Sequence, residues 1–203
     1  MRTTLAAMLV LCSAVAAQAQ ERLPPVPAAS YDAAQQQAAK DFEAARHVPP
    51  SGPFLMLMRS PELMTAARST GDYLRYKSAI GNTLSEFVIL VTARAWSQEY
   101  EWNVHAPIAI QQGITQAKVD AIAAGRRPDA MSDDEAICYD FISELQHDRK
   151  VSDATYARAL KRFGEKGVVD LAGISGYYSL LSMEMNMART DPGGPLRLKP
   201  LER

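Results

Sequence analysis

Residues 85–96, SEFVILVTARAW, form the most apolar stretch of the chain outside its first twenty residues, and no turn signal interrupts them. A short apolar run of this kind suits either a buried strand or a buried helix. Its continuation through Thr92, Ala93, Arg94, Ala95 and Trp96 favours the helix. The run also contains an acid, Glu86, which is expensive to bury without a partner.

The segments on either side read as helices. Ala33, Ala38, Phe42 and Ala45 recur at helical spacing between Tyr31 and Arg46, and the run Val48-Pro49-Pro50-Ser51-Gly52-Pro53 then breaks the chain. A short apolar stretch, Phe54 to Met58, leads to Ser60 as N-cap and Pro61 at the first position of a helix ending near Lys77. Glu99 to Gln112 is helical, with Pro107 suggesting a kink or break near His105 and Ala106. Thr115 caps a short helix closed by Gly125, and Ser132 with Glu135 forms a capping box for the helix to Gln146. Ser152 or Asp153 opens a helix to Phe163, and Glu165 to Ala188 forms a long one. No segment alternates convincingly with period two. The expected fold is all-α, a single helical domain over residues 31–189 with about six to eight helices.

The chain ends read differently. Arg2, an apolar run from Leu5 to Ala17, and Ala17-Gln18-Ala19 make residues 1–19 a secretory signal peptide. The mature protein is therefore expected to be exported, periplasmic or secreted, with no membrane span left after cleavage. Residues 20–30 read as a flexible lead-in, and residues 190–203 as a loose Pro- and Gly-rich tail. Only Cys138 survives cleavage, so no intramolecular disulfide and no dithiol pair is available. Its neighbours Asp134 and Asp140 are the opposite of what an activated thiolate needs. Basic residues number 22 and acidic residues 23, so no basic surplus points to nucleic acid.

Chemistry concentrates in the window EFVILVTARAWSQEYEWNVH, from Glu86 to His105. Gln98, Glu101 and His105 share one face if the segment is helical throughout. A buried Glu–His pair would offset the cost of Glu86 and place a proton-transfer group of tunable pKa in an apolar pocket. The same residues also suit a surface hydrogen-bond set, with Glu86 as a helix cap. Glu86, Glu101 and His105 have the types of a metal site, yet the histidines number 3 and lie far apart, and neither metal nor cofactor is expected. Trp102 and Tyr100 are candidate substrate contacts, although such aromatics also pack in cores or between subunits. No P-loop, dinucleotide loop, G-x-S-x-G or H-E-x-x-H motif is present.

This window resembles the carboxymuconolactone decarboxylase and alkylhydroperoxidase D-like superfamily. Its thiol branch carries a Glu followed, about a dozen residues on, by Cys-x-x-Cys-x-x-x-His. Glu86 and His105 match the outer positions, and the two cysteines fall on Gln98 and Glu101. The segments Pro50 to Phe54, Ser60 to Leu63, Val151 to Thr155, Phe163 to Leu171 and Gly176 to Tyr178 extend the likeness. The resemblance implies an all-α homo-oligomer, a trimer or hexamer, acting on a small molecule. Peroxidase chemistry needs both cysteines, which Gln98 and Glu101 cannot replace.

The decarboxylase branch implies acid–base lyase or isomerase chemistry on a small lactone or enolisable acid. In that reading His105 supplies a proton, and Glu101 orients it or acts as an acid. Gln98 binds the lactone or enolate oxygen, and Glu86 sets the histidine's tautomer and charge. Relatives often carry a base shortly after the histidine, where this chain has Ile110, so Arg94 is the candidate cation for an anionic substrate. The alternative is a non-catalytic small-molecule binding protein of the same fold.

Overall fold

A computed structural model describes residues 21–195 and 197–199, and the signal-peptide reading of residues 1–19 lies outside them. The described chain is built from helices: α1 (Ala33–Arg46), α2 (Pro53–Leu57), α3 (Pro61–Tyr76), α4 (Asn82–Ala95), α5 (Glu99–Gln111), α6 (Gln116–Ala123), α7 (Asp133–His147) and α8 (Asp153–Ala188). A short 3-10 turn at Ala28–Ser30 precedes them. Gly164, with φ 69° and ψ 178°, divides α8 into the two helices that the sequence suggests.

The apolar run becomes α4, the axis of the fold. Phe87, Val88, Ile89, Leu90 and Ala93 are completely buried, because α3, α5, α6, α7 and α8 all pack around this helix. A helix apolar on every side is stable only in such a position. Near its C-terminal end a polar seam ties it to α7 and α8. Thr92 shares a 3.0 Å hydrogen bond with Ser175, and Trp96 donates to Ser179 at 2.9 Å. Gln146 donates to both serines at 2.8 Å.

Local signals account for the helix boundaries. Ser132 and Glu135 complete their capping box, and Ser152 caps α8. Ser60 and Thr115 precede their helices as expected, but their side chains make no cap bond, and each helix opens on the residue's backbone carbonyl instead. Pro107 does not break α5. Its ring lies on the exposed side of the helix, while Trp102, Ala106 and Ala109 hold the inner face in the core.

Both ends of the described chain are tied to the helices. In the lead-in, the Arg22 amide donates to the Ala188 carbonyl at 2.7 Å, and Arg59 donates to the Pro24 carbonyl at 2.6 Å. The tail folds back across α5. Asn103 donates to the carbonyls of Pro192 and Pro195 at 3.1 and 3.2 Å, and the Glu99 carboxylate accepts from the amides of Arg197 and Leu198, each at 2.8 Å. The expected flexible lead-in and loose tail are in this respect docked segments.

Asp170 joins α8 to the end of α3. It is 4% exposed and accepts from the Tyr73 hydroxyl at 2.9 Å and the Ala79 amide at 2.8 Å. Asp170→Ala removes both acceptors and is expected to cost about 2 kcal/mol in urea unfolding, the usual order for stranded donors. An unchanged midpoint would show that water replaces them freely.

Candidate active site

His105 sits on α5 with Glu86 opposite it on α4. Its Nδ1–H donates to Glu86 Oε2 at 2.6 Å, and its Nε2 lies 3.4 Å from Glu101 Oε2, one turn earlier on α5. The three side chains are buried, His105 at 3% exposure. Glu86 also faces the Arg75 guanidinium at 3.6 Å. Burial works against charge on His105, but hydrogen bonds to Glu101 and Glu86 outweigh it and raise the pKa above the ordinary histidine value. With Nδ1 committed to Glu86, Nε2 is the nitrogen left to exchange a proton with a ligand.

His105 and Glu101 line a cavity of about 110 Å³, closed by Arg46, Arg75, Tyr100, Tyr177, Tyr178, and apolar residues such as Phe54. Tyr178 meets the His105 ring edge-on, with centroids 5.1 Å apart, and Tyr177 meets Tyr178 in the same way at 5.2 Å. Burial pushes the Tyr178 hydroxyl well above its normal pKa and the Tyr177 hydroxyl up to about 12. Both therefore stay neutral donors at physiological pH. The Arg75 Nε is buried with no hydrogen-bond partner. Close packing depends on two glycines. A Cβ on Gly71 of α3 would overlap the Tyr177 hydroxyl, and one on Gly52 would overlap the Tyr100 hydroxyl.

The sequence brings some of its candidates together here and not others. Glu86, Glu101, His105 and Tyr100 are assembled as expected. Gln98 is not on the His105 face, because it is the N-cap of α5. Its carbonyl oxygen accepts from the Tyr100 amide at 2.6 Å, and its amide donates to Asn186 at 3.0 Å. Trp102 is 2% exposed and packs in the core rather than against the cavity. Arg94 lies at the far end of α4, beside a separate cavity lined by Tyr139, Gln146 and His147. The cations at the site are Arg46 and Arg75, from the ends of α1 and α3, and the distance of both from the motif hides them in the sequence. The adjacent pair Tyr177-Tyr178 in a long helix was the visible signal for the cavity's opposite wall.

Cys138 lies on α7, fully buried, with Asp134, Glu135 and Arg162 as its charged neighbours. Burial pushes its thiol up to about 12, so it is not poised as a nucleophile. Among the described residues, no group of 3 or more His, Cys, Asp or Glu side chains is arranged to hold a metal ion.

Comparison with known proteins places this geometry. Residues 61–136, from α3 into α7, match the carboxymuconolactone decarboxylase family. No curated protein matches the chain. Among solved structures, an uncharacterised peroxidase-related protein from Ralstonia eutropha JMP134, described as an alkylhydroperoxidase AhpD core, aligns with a TM-score of 0.68 at 17% identity. That alignment covers 85% of this chain and 92% of the other. A variant of the debrominase Bmp8 in complex with 2,3,4-tribromopyrrole aligns at 0.66 with 13% identity, covering 86% and 92%. At such identities the likeness is one of fold.

Two measurements follow from this geometry. A histidine pKa raised on folding stabilises the native state fully below the unfolded value of about 6.5, and the gain is lost as pH rises through the folded value. The stability advantage of the wild type over His105→Gln should therefore be largest near pH 6 and shrink above neutrality; an advantage that grows with pH contradicts the arrangement. Iodoacetamide should leave Cys138 unmodified in native protein and label it in urea, as read by mass spectrometry.

Proposed function

We propose that the chain is a member of the carboxymuconolactone decarboxylase and alkylhydroperoxidase D-like superfamily, a reading supported by the family match over residues 61–136 and by the fold, and that it performs thiol-independent acid–base chemistry, as a lyase or isomerase, on a small lactone or enolisable acid. The observation that carries this reading is His105. It sits between two carboxylates at the wall of a small cavity that Tyr177, Tyr178, Arg46 and Arg75 also line. The thiol pair of the peroxidase branch is replaced by a helix cap, Gln98, and a second acid, Glu101.

In a decarboxylation the carbon–carbon bond to the carboxylate breaks, and its electrons pass into the conjugated carbonyl as carbon dioxide leaves. The resulting dienolate is stabilised by donors that do not have to reorganise. Tyr178 and Arg75 are the donors for the enolate oxygen, and Arg46 adds positive charge at the same cavity. His105 then gives its Nε2 proton to carbon and recovers one from solvent. Glu86 holds the ring and balances its charge in both states, and Glu101 keeps the proton near Nε2. Arg46 and Arg75 take the role that Arg94 held on sequence grounds. The mature chain is proposed to do this outside the cytoplasm, as a homo-oligomer.

The test follows carbon dioxide release and ultraviolet change with 4-carboxymuconolactone and related lactone acids. His105→Ala should lower turnover at least about 100-fold, the scale of a lost general acid, with its circular dichroism unchanged. Full turnover in the variant ends the assignment. If no acid turns over but ligands raise the melting temperature without product, the protein binds rather than catalyses.

A further inference from the structure

The His105 cavity does not stand alone. A wider groove of about 610 Å³ adjoins it and shares Arg46, Ser51 and Arg75 as common walls. The groove continues over Phe42, Ala45, Val48, Asp72, Tyr76 and Lys77. Its lining mixes charged groups with two large hydrophobic residues, Val48 and Tyr76, left 51% and 60% exposed. Its charged groups are cationic in balance. Asp72, the one acid lining it, is already bonded to Arg46 at 2.9 Å and to Arg68 at 2.8 Å. Lys77 lies beyond them, with no carboxylate in ion-pair range among the described residues.

Arg46 is fixed where the two spaces meet. Its guanidinium stacks over Phe54 and Phe42, 4.6 and 4.9 Å from the ring centroids, while it holds Asp72. Such an arginine spends little entropy on meeting an anion, because it is already ordered. The inner cavity has room only for a compact head group, whereas the groove adds the exposed Val48 and Tyr76 and the cation Lys77.

We propose that this groove is an anion-binding subsite that holds the charged far end of an extended carboxylate, with a hydrocarbon spacer against Val48 and Tyr76 and a head group in the His105 cavity. Only the statement that this ligand is a substrate rests on the acid–base reading above; binding itself does not require it. Lys77 is a specificity residue in this scheme and takes no part in proton transfer.

The experiment uses calorimetric titration of the purified protein at low ionic strength with suberate, an eight-carbon diacid, and octanoate, its monoacid counterpart. Lys77→Gln should weaken suberate about three- to five-fold, the scale of a solvent-exposed ion pair, and leave octanoate unchanged. Added salt should erase the difference between the two proteins. Equal weakening of both ligands, no weakening of suberate, or no suberate binding at all overturns the proposal. The two readings fail separately. Suberate binding that depends on Lys77, without turnover of any lactone acid, leaves the subsite standing and removes the chemistry. Turnover that needs His105, with suberate indifferent to Lys77, does the reverse.

Discussion

An ionisable carboxylate inside the most apolar helix of the chain is the constraint around which the site is organised. Glu86 is 6% exposed on α4, and isolating its charge there would cost many kcal/mol. Three features answer that cost. His105 bonds it at 2.6 Å, Arg75 stands 3.6 Å away, and Glu101 engages the other side of the imidazole. Each answer fixes an element: α5 must present His105 to α4, and the end of α3 must bring Arg75 over the same carboxylate. The cavity is what remains between those helices once α8 adds Tyr177 and Tyr178.

The parts of the fold set by local chemistry were legible in the sequence. Periodicity, the Pro-rich break before α2 and the Ser132 capping box each act within a few residues, so the helices and their limits could be read directly. The Glu86–His105 pairing was legible for another reason: an acid in an apolar run needs a partner, and the resemblance to a known motif supplied one. Gln98 misled because helical spacing was extended one residue past the helix start. At an N-cap the backbone is extended, and the side chain turns to the amides of its own first turn. Arg94 misled because direction along a buried helix cannot be read from composition. Glu86 and Arg94 are two turns apart on α4, and they serve opposite ends of the core.

The positions that the resemblance assigns to cysteines have structural partners of their own here. Where the superfamily's thiol branch places two cysteines, this chain has a cap that starts α5 and an acid that flanks the histidine. Among the described residues the one thiol, Cys138, is fully buried on another helix.

Residues near the end of a chain are ordinarily free to drift, because little rests on them. Here the segment carrying Pro192, Pro195, Arg197 and Leu198 is bonded to Asn103 and Glu99 of α5, and Gly193 lies against the Tyr100 ring. Lengthening or shortening that segment moves a wall of the cavity without altering any group that meets a ligand's reacting atoms. The fit of a ligand can therefore depend on residues that never touch it.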